Sequence, residues 1–279
     1  MTGIGVSHGS ITVINAMPCG IGATIGADLE TRAVFTVTGD SRTVEISNDP
    51  GENTTMARIC VSKAYETAGE KEPEGWSLTT ESQIPISRGL KSSSAACNAI
   101  LRAVMDELDF TMDPVELIRL GVTCAREAKV TVTGSFDDAC GCGLGGLVMT
   151  DNRSDEILDR ADIEDYDVVL YIPEFKIRKT GLPLDRLREL APDMQKIIKY
   201  AMRRPFYAMT ENGRLISAAS GNDNSVAERA ISLGALGAGM SGSGPAIAIV
   251  VQRDDGESMA RDLGLRPDET LITKTRCGQ

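Results

Sequence analysis

The sequence predicts an α+β fold divided into two domains. Strand-like and helix-like segments follow one another without the regular alternation of a parallel α/β sheet. The 279 residues suffice for two domains of ordinary size, and apolar residues at 42% are enough for a core. Small residues give way to charged ones near Thr150–Asp155, which places the division at 1–152 and 153–279.

The elements follow in chain order. Ser10–Ile14 and Thr31–Thr38 read as strands, the second with period-2 character through Ala33, Phe35 and Val37. Asn48-Asp49-Pro50-Gly51 is a turn cluster, and a helix spans about 55–68 on Met56, Ile59, Cys60 and Ala64. Trp76–Ile84 reads as a strand. A helix follows the serines at 92–94, with Ile100, Leu101, Val104, Met105 and Leu108 at helical spacing. Asp113-Pro114-Val115-Glu116 supplies an N-cap, a proline at the first helical position and an acid at the third, so a helix runs to about Ala128. Val130–Thr133 is a β-branched run, and Gly141–Gly146 a glycine-dense turn. Beyond the division, Val168–Ile172, Ala246–Val251 and Glu269–Lys274 read as strands. Helical patterns occupy about 185–203, 206–217, 224–233 and 256–263.

Composition excludes several function classes. A formal net charge of −11 leaves no basic stripe for a nucleic acid. No apolar run reaches the length of a membrane span, and the N-terminal residues lack the pattern of a signal peptide, so a cytoplasmic protein is expected. Seven cysteines, an odd number in mostly apolar contexts, fit free buried thiols. His8 is the single histidine, in a small-residue turn, so a Ser-His-Asp site would rest entirely on it, and Cys140-x-Cys142 without any Cys-x-x-Cys argues against a structural zinc site.

Residues 85–95, Pro-Ile-Ser-Arg-Gly-Leu-Lys-Ser-Ser-Ser-Ala, run from a strand through a glycine and three serines into a helix. Serines can cap the first turn, Gly89 permits close backbone approach, and the unpaired N–H groups with the helix dipole favour a phosphate. A serine-rich cap without a ligand is the alternative from this segment alone. Gly237-Ala-Gly-Met-Ser-Gly-Ser-Gly244 is a second anion-cradling candidate, with a flexible turn as its alternative. Two Gly-x-Gly-x-x-Gly matches, at 141–146 and 237–242, lack the strand-before, helix-after setting of a dinucleotide site, and no Walker-type P-loop occurs. Asp137 and Asp138 are adjacent carboxylates able to accept a hydroxyl proton or hold a metal; a solvated turn is the plainer reading.

The order Pro85-x-x-x-Gly89-Leu90-x-Ser92-Ser93-x-Ala95, then Asp137, then the loop at 237–246 resembles the GHMP small-molecule kinases, which include galactokinase, homoserine kinase and mevalonate kinase. Within them the chain is most similar to the archaeal-type shikimate kinase family, nearly end to end. The carrying segments are Ile14-Asn15-Ala16, Gly20-Ile21-Gly22-Ala23, residues 130–139 and Thr150-Asp151-Asn152. The resemblance implies an N-terminal domain like ribosomal protein S5 domain 2 and a C-terminal ferredoxin-like α/β sandwich. It implies phosphorylation of the 3-hydroxyl of shikimate by ATP with Mg2+, a step of aromatic amino acid biosynthesis, by a monomer or homodimer.

By the same resemblance, Pro85, Ile86, Ser87, Arg88, Gly89, Leu90, Lys91, Ser92, Ser93, Ser94 and Ala95 bind nucleotide, together with Gly239, Ser241, Gly242, Ser243 and Gly244. Ser93 and Glu127 hold magnesium. Asp137 is catalytic, and Asn15, Asp137, Asp138 and Arg178 meet the substrate. Several superfamily members pair the aspartate with an N-terminal lysine, but the first lysine here is Lys63, so Lys129 is the expected substitute. The shikimate carboxylate calls for a cation, with Arg178, Lys179, Arg203, Arg204 and Lys129 as candidates. Another kinase of the superfamily, acting on homoserine, mevalonate or pantoate, is the alternative, and a non-catalytic sensor is a further one.

Overall fold

The computed structural model describes residues 2–278 except Ser87, Val132 and 176–181. The sequence expectations for Ser87, Arg178 and Lys179 therefore lie outside the described residues.

A long antiparallel hairpin, β1 (Thr2–Ile14) and β2 (Ile21–Thr38), forms the spine of the first sheet. Its 13 and 18 residues far exceed the short runs read from the sequence, because glycines interrupt the β-branched pattern. Gly3 and Gly5 account for part of this. A Cβ on either would lie 2.0 Å from a backbone oxygen of the helix α2 (Ser92–Glu107), that of Ala103 and Ala99 respectively. Only glycine lets helix and strand approach so closely.

The free edge of β2 is shared. Its first residues pair with β5 (Leu147–Asp151) and its last with β4 (Gly75–Ser82), which in turn pairs with β3 (Arg42–Ile46). The strand β6 (Glu156–Ala161) pairs with β5, so the first sheet extends to residue 161, past the expected division at 152/153. Charged residues misled there because β6 is an edge strand, mostly exposed.

The helices α1 (Thr55–Ala68), α2 and α3 (Pro114–Glu127) pack on Phe35, Trp76 and Leu78 of this sheet. Asp113 caps α3 as its residue type predicts, its Oδ1 accepting from the N–H groups of Val115 and Glu116 at 2.9 and 3.2 Å. Two local readings are corrected. The β-branched run at 130–133 suggests a strand, but Val130, Thr131 and Thr133 lie outside any strand. The segment read as a glycine-dense turn is mostly helix, α4 (Phe136–Leu144). Its glycines serve packing: a Cβ on Gly141 would stand 2.4 Å from the Thr24 hydroxyl of β2.

The second sheet is antiparallel in the order β10 (Thr270–Lys274), β7 (Asp167–Tyr171), β9 (Ile247–Val251), β8 (Gly237–Met240). Two short helices, α5 (Leu184–Glu189) and α6 (Ala191–Ile198), precede the longer α7 (Pro205–Ser220) on one face. The other face packs against α8 (Ser225–Ser232) and α9 (Gly256–Leu263). Helices on an antiparallel sheet of four strands are the sandwich expected for the second domain.

The two sheets share one buried cluster, in which Ile11, Val13 and Ile25 meet Val168, Leu170, Met240 and Val250. The last residues also strap the halves together. Arg276 donates its N–H to Gly26 O at 2.9 Å and accepts from Gly146 N at 2.8 Å. The seven cysteines are free, five of them buried.

Candidate active site

The strand β4 delivers the chain to α2 through the loop containing Gly89 and Lys91. Lys91 stands at the N-cap in the left-handed region (φ 69°), and its carbonyl accepts the first helical bond from Ala95 N at 3.0 Å. No serine side chain caps the helix, contrary to the expectation. Ser92, Ser93 and Ser94 stand half-buried on the first turn, whose N–H groups precede the helical ladder and point out of its end.

Lys91 turns its side chain inward. Its Nζ donates to Thr12 Oγ1 at 2.7 Å and pairs with Asp138 Oδ1 at 2.9 Å, with the lysine side chain 3% exposed. A lysine so deeply buried needs an ion-pair partner and a hydrogen bond, and both are present here.

The second glycine-serine loop closes over the first. Ser241 Oγ donates to Gly89 O at 3.0 Å, and Ala246 N donates to Arg88 O at 3.1 Å. Gly242 N donates to Thr12 Oγ1 at 2.8 Å, and Asn15 Nδ2 donates to Gly242 O at the same distance. Gly89 has φ +84°, and a Cβ there would lie 2.2 Å from Ser241 O, so glycine is required on both counts.

Asp137 lies in the first turn of α4, 4% exposed. Its N–H donates to Asn152 Oδ1 at 3.0 Å, and its Oδ1 accepts from Asn152 Nδ2 at 2.7 Å. Its Oδ2 lies over Gly22, where a Cβ would be only 2.3 Å away. Burial, then the charge of Asp138, pushes its carboxyl up to about 7, opposed by Lys91 and the Asn152 hydrogen bond. A carboxyl poised there can take a proton near neutral pH.

Lys91, Asp137 and Asp138 line an open cavity of about 50 Å³ with Thr12, Asn15, Thr133, Ser135, Gly242 and Ser243. It lies where the β1–β2 turn, the starts of α2 and α4, and the loop after β8 converge. Asp137, Asp138, Lys91, Gly242, Ser243 and Asn15 are thus brought together, although the Asn15 side chain is already committed, with Oδ1 accepting from Met17 N.

Other expected residues fall elsewhere. Lys129 is exposed just past the end of α3 (φ 57°) and does not line the cavity; Lys91 is the lysine beside the aspartates. Glu127 is exposed at the last turn of α3, where its charge acts on Lys63 and Cys124 rather than on the cavity. Gly239 is buried under α7, where a Cβ would lie 2.6 Å from Met209 O, so it answers to packing. Leu90 and Ala95 belong to the buried core. Pro85 and Arg88 face a separate hollow with Ile172, Glu174 and Asp268. Ile86 is half-buried in the same loop, and Gly244 is buried in the second.

Sequence reasoning missed Thr12, Thr133, Ser135, Asn152 and the inward role of Lys91. Thr12 lies in a strand and carries no motif signal; Thr133, Ser135 and Asn152 fall in segments that carry the family resemblance, but nothing in their residue types marks them as site residues. Lys91 was legible only as one residue of the loop.

Comparison with known proteins places these features in a family. The GHMP kinases N terminal domain matches residues 56–146, and the GHMP kinases C terminal domain matches residues 208–266. The chain is 35% identical over 281 residues to the shikimate kinase of Halobacterium salinarum, covering 99% of this chain and 98% of that protein. It is 34% identical over 253 residues to the shikimate kinase of Methanobrevibacter smithii, covering 88% and 87%. Among solved structures, Methanococcus jannaschii mevalonate kinase superposes with a TM-score of 0.81 at 15% identity, over 99% of this chain and 98% of that one. Homoserine kinase from Cytophaga hutchinsonii gives 0.74 at 17% identity, over 99% and 95%, which speaks to the fold alone.

Proposed function

This chain belongs to the GHMP kinase family, and we propose from that premise that it transfers the terminal phosphoryl group of ATP to the 3-hydroxyl of shikimate. The observation that carries the chemistry is Asp137, a buried carboxylate beside the buried charge of Lys91 in one cavity. Its relatives of about one-third identity along most of the chain carry the choice of substrate.

Phosphoryl transfer is governed by positioning and by neutralising charge around the moving group. The first-turn N–H groups of α2 and the Gly242 loop offer donors and a favourable dipole to the triphosphate. Lys91 supplies a positive charge fixed from two sides, so no reorganisation is needed as charge develops. Asp137 in its ionised form accepts the proton of the attacking hydroxyl, and a carboxyl lifted to about 7 holds that proton near neutral pH. The hydroxyls of Thr133, Ser135 and Ser243 suit a small polyhydroxylated acid held by several hydrogen bonds.

Magnesium fits this arrangement as an ion carried on the phosphates. Mg2+ keeps most of its waters and needs only one or two protein oxygens, so a protein cage is not required. Among the described residues there is no group of three or more His, Cys, Asp or Glu side chains that could hold a metal ion. Ser93, half-buried on the first turn of α2 two residues beyond Lys91, remains the candidate protein oxygen for the ion; Glu127 is exposed at the far end of α3. Bound magnesium would supply charge neutralisation at the phosphates.

A coupled ADP-release assay with shikimate, homoserine, mevalonate and pantoate tests the reading. Turnover on shikimate with Mg2+-ATP, far above the other alcohols, is expected. Preference for another alcohol would reassign the substrate, and nucleotide binding without ADP release with any of them would make the chain a sensor.

A further inference from the structure

Asn152 lies just past β5, 2% exposed, and every hydrogen-bonding group it owns is engaged. Its N–H donates to Gly20 O at 2.8 Å, and its carbonyl accepts from Arg126 Nη2 at 3.2 Å. Its side-chain Oδ1 accepts from Asp137 N at 3.0 Å and from Thr150 Oγ1 at 2.7 Å. Nδ2 donates to Asp137 Oδ1 at 2.7 Å and reaches Thr133 Oγ1 at 3.4 Å.

This set fixes which way the amide faces. The Asp137 backbone N–H can only donate, so the atom opposite it must be the amide oxygen. The amide nitrogen then has no choice but to face the Asp137 carboxylate. Thr150, fully buried, reinforces that orientation.

We propose that Asn152 is a positioning residue for the reaction, holding Oδ1 of Asp137 so that Oδ2 is presented over Gly22 in its anionic form. The idea rests on Asp137 acting as the proton acceptor. Three further groups face that carboxylate: Lys91 from the start of α2, with Asp138 and the Cys140 thiol from α4 itself. The strands β2 and β5 present only Gly22, Thr24 and Thr150, none of them charged. Among the described residues, Asn152 is therefore the donor that stabilises the anion from the sheet side. A hydrogen bond to a charged form lowers its proton affinity, so its loss drives Asp137 towards the protonated state.

The test compares Asn152→Ala and Thr150→Val with the parent protein in full pH profiles of kcat/KM for shikimate. Asn152→Ala is expected to move the acid limb towards alkaline pH by about one unit, with turnover about fivefold lower at pH 7 and largely recovered at pH 9. KM for ATP stays near that of the parent. Thr150→Val moves the limb in the same direction by less, because the amide is merely loosened, and it serves as the deciding variant should Asn152→Ala melt. An unmoved acid limb in whichever variants are folded, or a loss equal at every pH, overturns the proposal. Asp137→Asn runs alongside. Near-normal turnover there sinks the catalytic reading itself, whereas loss there with an unmoved limb in the other variants sinks only the role of Asn152.

Discussion

Replacing Asp137 by Asn should disable the enzyme and stabilise the protein, and both effects come from the same burial. The carboxyl is lifted from 3.8 to about 7. Below pH 3.8 the folded and unfolded chains both hold the proton, and Asp137 costs nothing. Between 3.8 and about 7 the folded chain holds a proton that the unfolded chain has released, so stability falls as pH rises. Above about 7 the loss is complete. At about 1.4 kcal/mol per pH unit it amounts to at most about 4 kcal/mol. Asparagine keeps the shape and can accept from Asn152 Nδ2, but it carries no charge to bury. At pH 8 the variant should gain up to about 4 kcal/mol, or ~8 °C in Tm for a chain of this size. The gain should shrink steadily as the pH drops to 4. Turnover should fall by about 100-fold or more. Calorimetry or denaturant titration from pH 4 to 8, beside the ADP assay, measures both. A variant no more stable than the parent at pH 8 would refute the argument that Asp137 is held under electrostatic strain.

Other substitutions follow from the same geometry. Lys91→Met leaves Asp138 without its counter-charge and Asp137 beside an uncompensated acid, so stability should drop on the order of 3 kcal/mol; kcat/KM should fall about 100-fold, with its acid limb moved to higher pH by steady-state kinetics. Gly22→Ala places a methyl where Asp137 Oδ2 now lies, so activity should be lost while far-UV circular dichroism stays native; an active variant would show that the carboxylate works from another position. Lys129→Ala removes an exposed charge outside the cavity, and both stability and kcat/KM should stay close to the parent, within about 0.5 kcal/mol. A large loss of kcat/KM there would return Lys129 to the site in place of Lys91.

Much of this architecture was legible in the residues themselves. The helix 55–68 and the capped start at Asp113 rest on local periodicity and on one side chain meeting its own backbone, and such signals survive folding. The strands β1 and β8 were obscured for the opposite reason. Their glycines exist to let a helix approach, a tertiary demand with no local signature. The same blindness turned α4 into a turn, because Gly141 and Gly143 yield to Thr24 and Ile118 across the interface. At the site, Asp137 and the two loops stood out through their residue types. Lys129 was the candidate partner of Asp137 and Lys91 only a residue of the nucleotide loop, yet the loop carries Lys91 inward in a left-handed conformation that a sequence does not display. Asn152 stood in a segment that carries the family resemblance, and its role shows only once the fold sets Asp137 against it.

The central claim is that the triphosphate ends between Lys91 and the Gly242 loop, with an acceptor alcohol aimed at it by Asp137. A crystal structure with a non-hydrolysable ATP analogue, magnesium and shikimate reads this directly. The terminal phosphate should lie within contact of Lys91 Nζ, and the shikimate 3-hydroxyl should meet an Asp137 oxygen at hydrogen-bond distance. A terminal phosphate bound away from Lys91, or a shikimate ring whose 3-hydroxyl faces away from Asp137, would contradict the account.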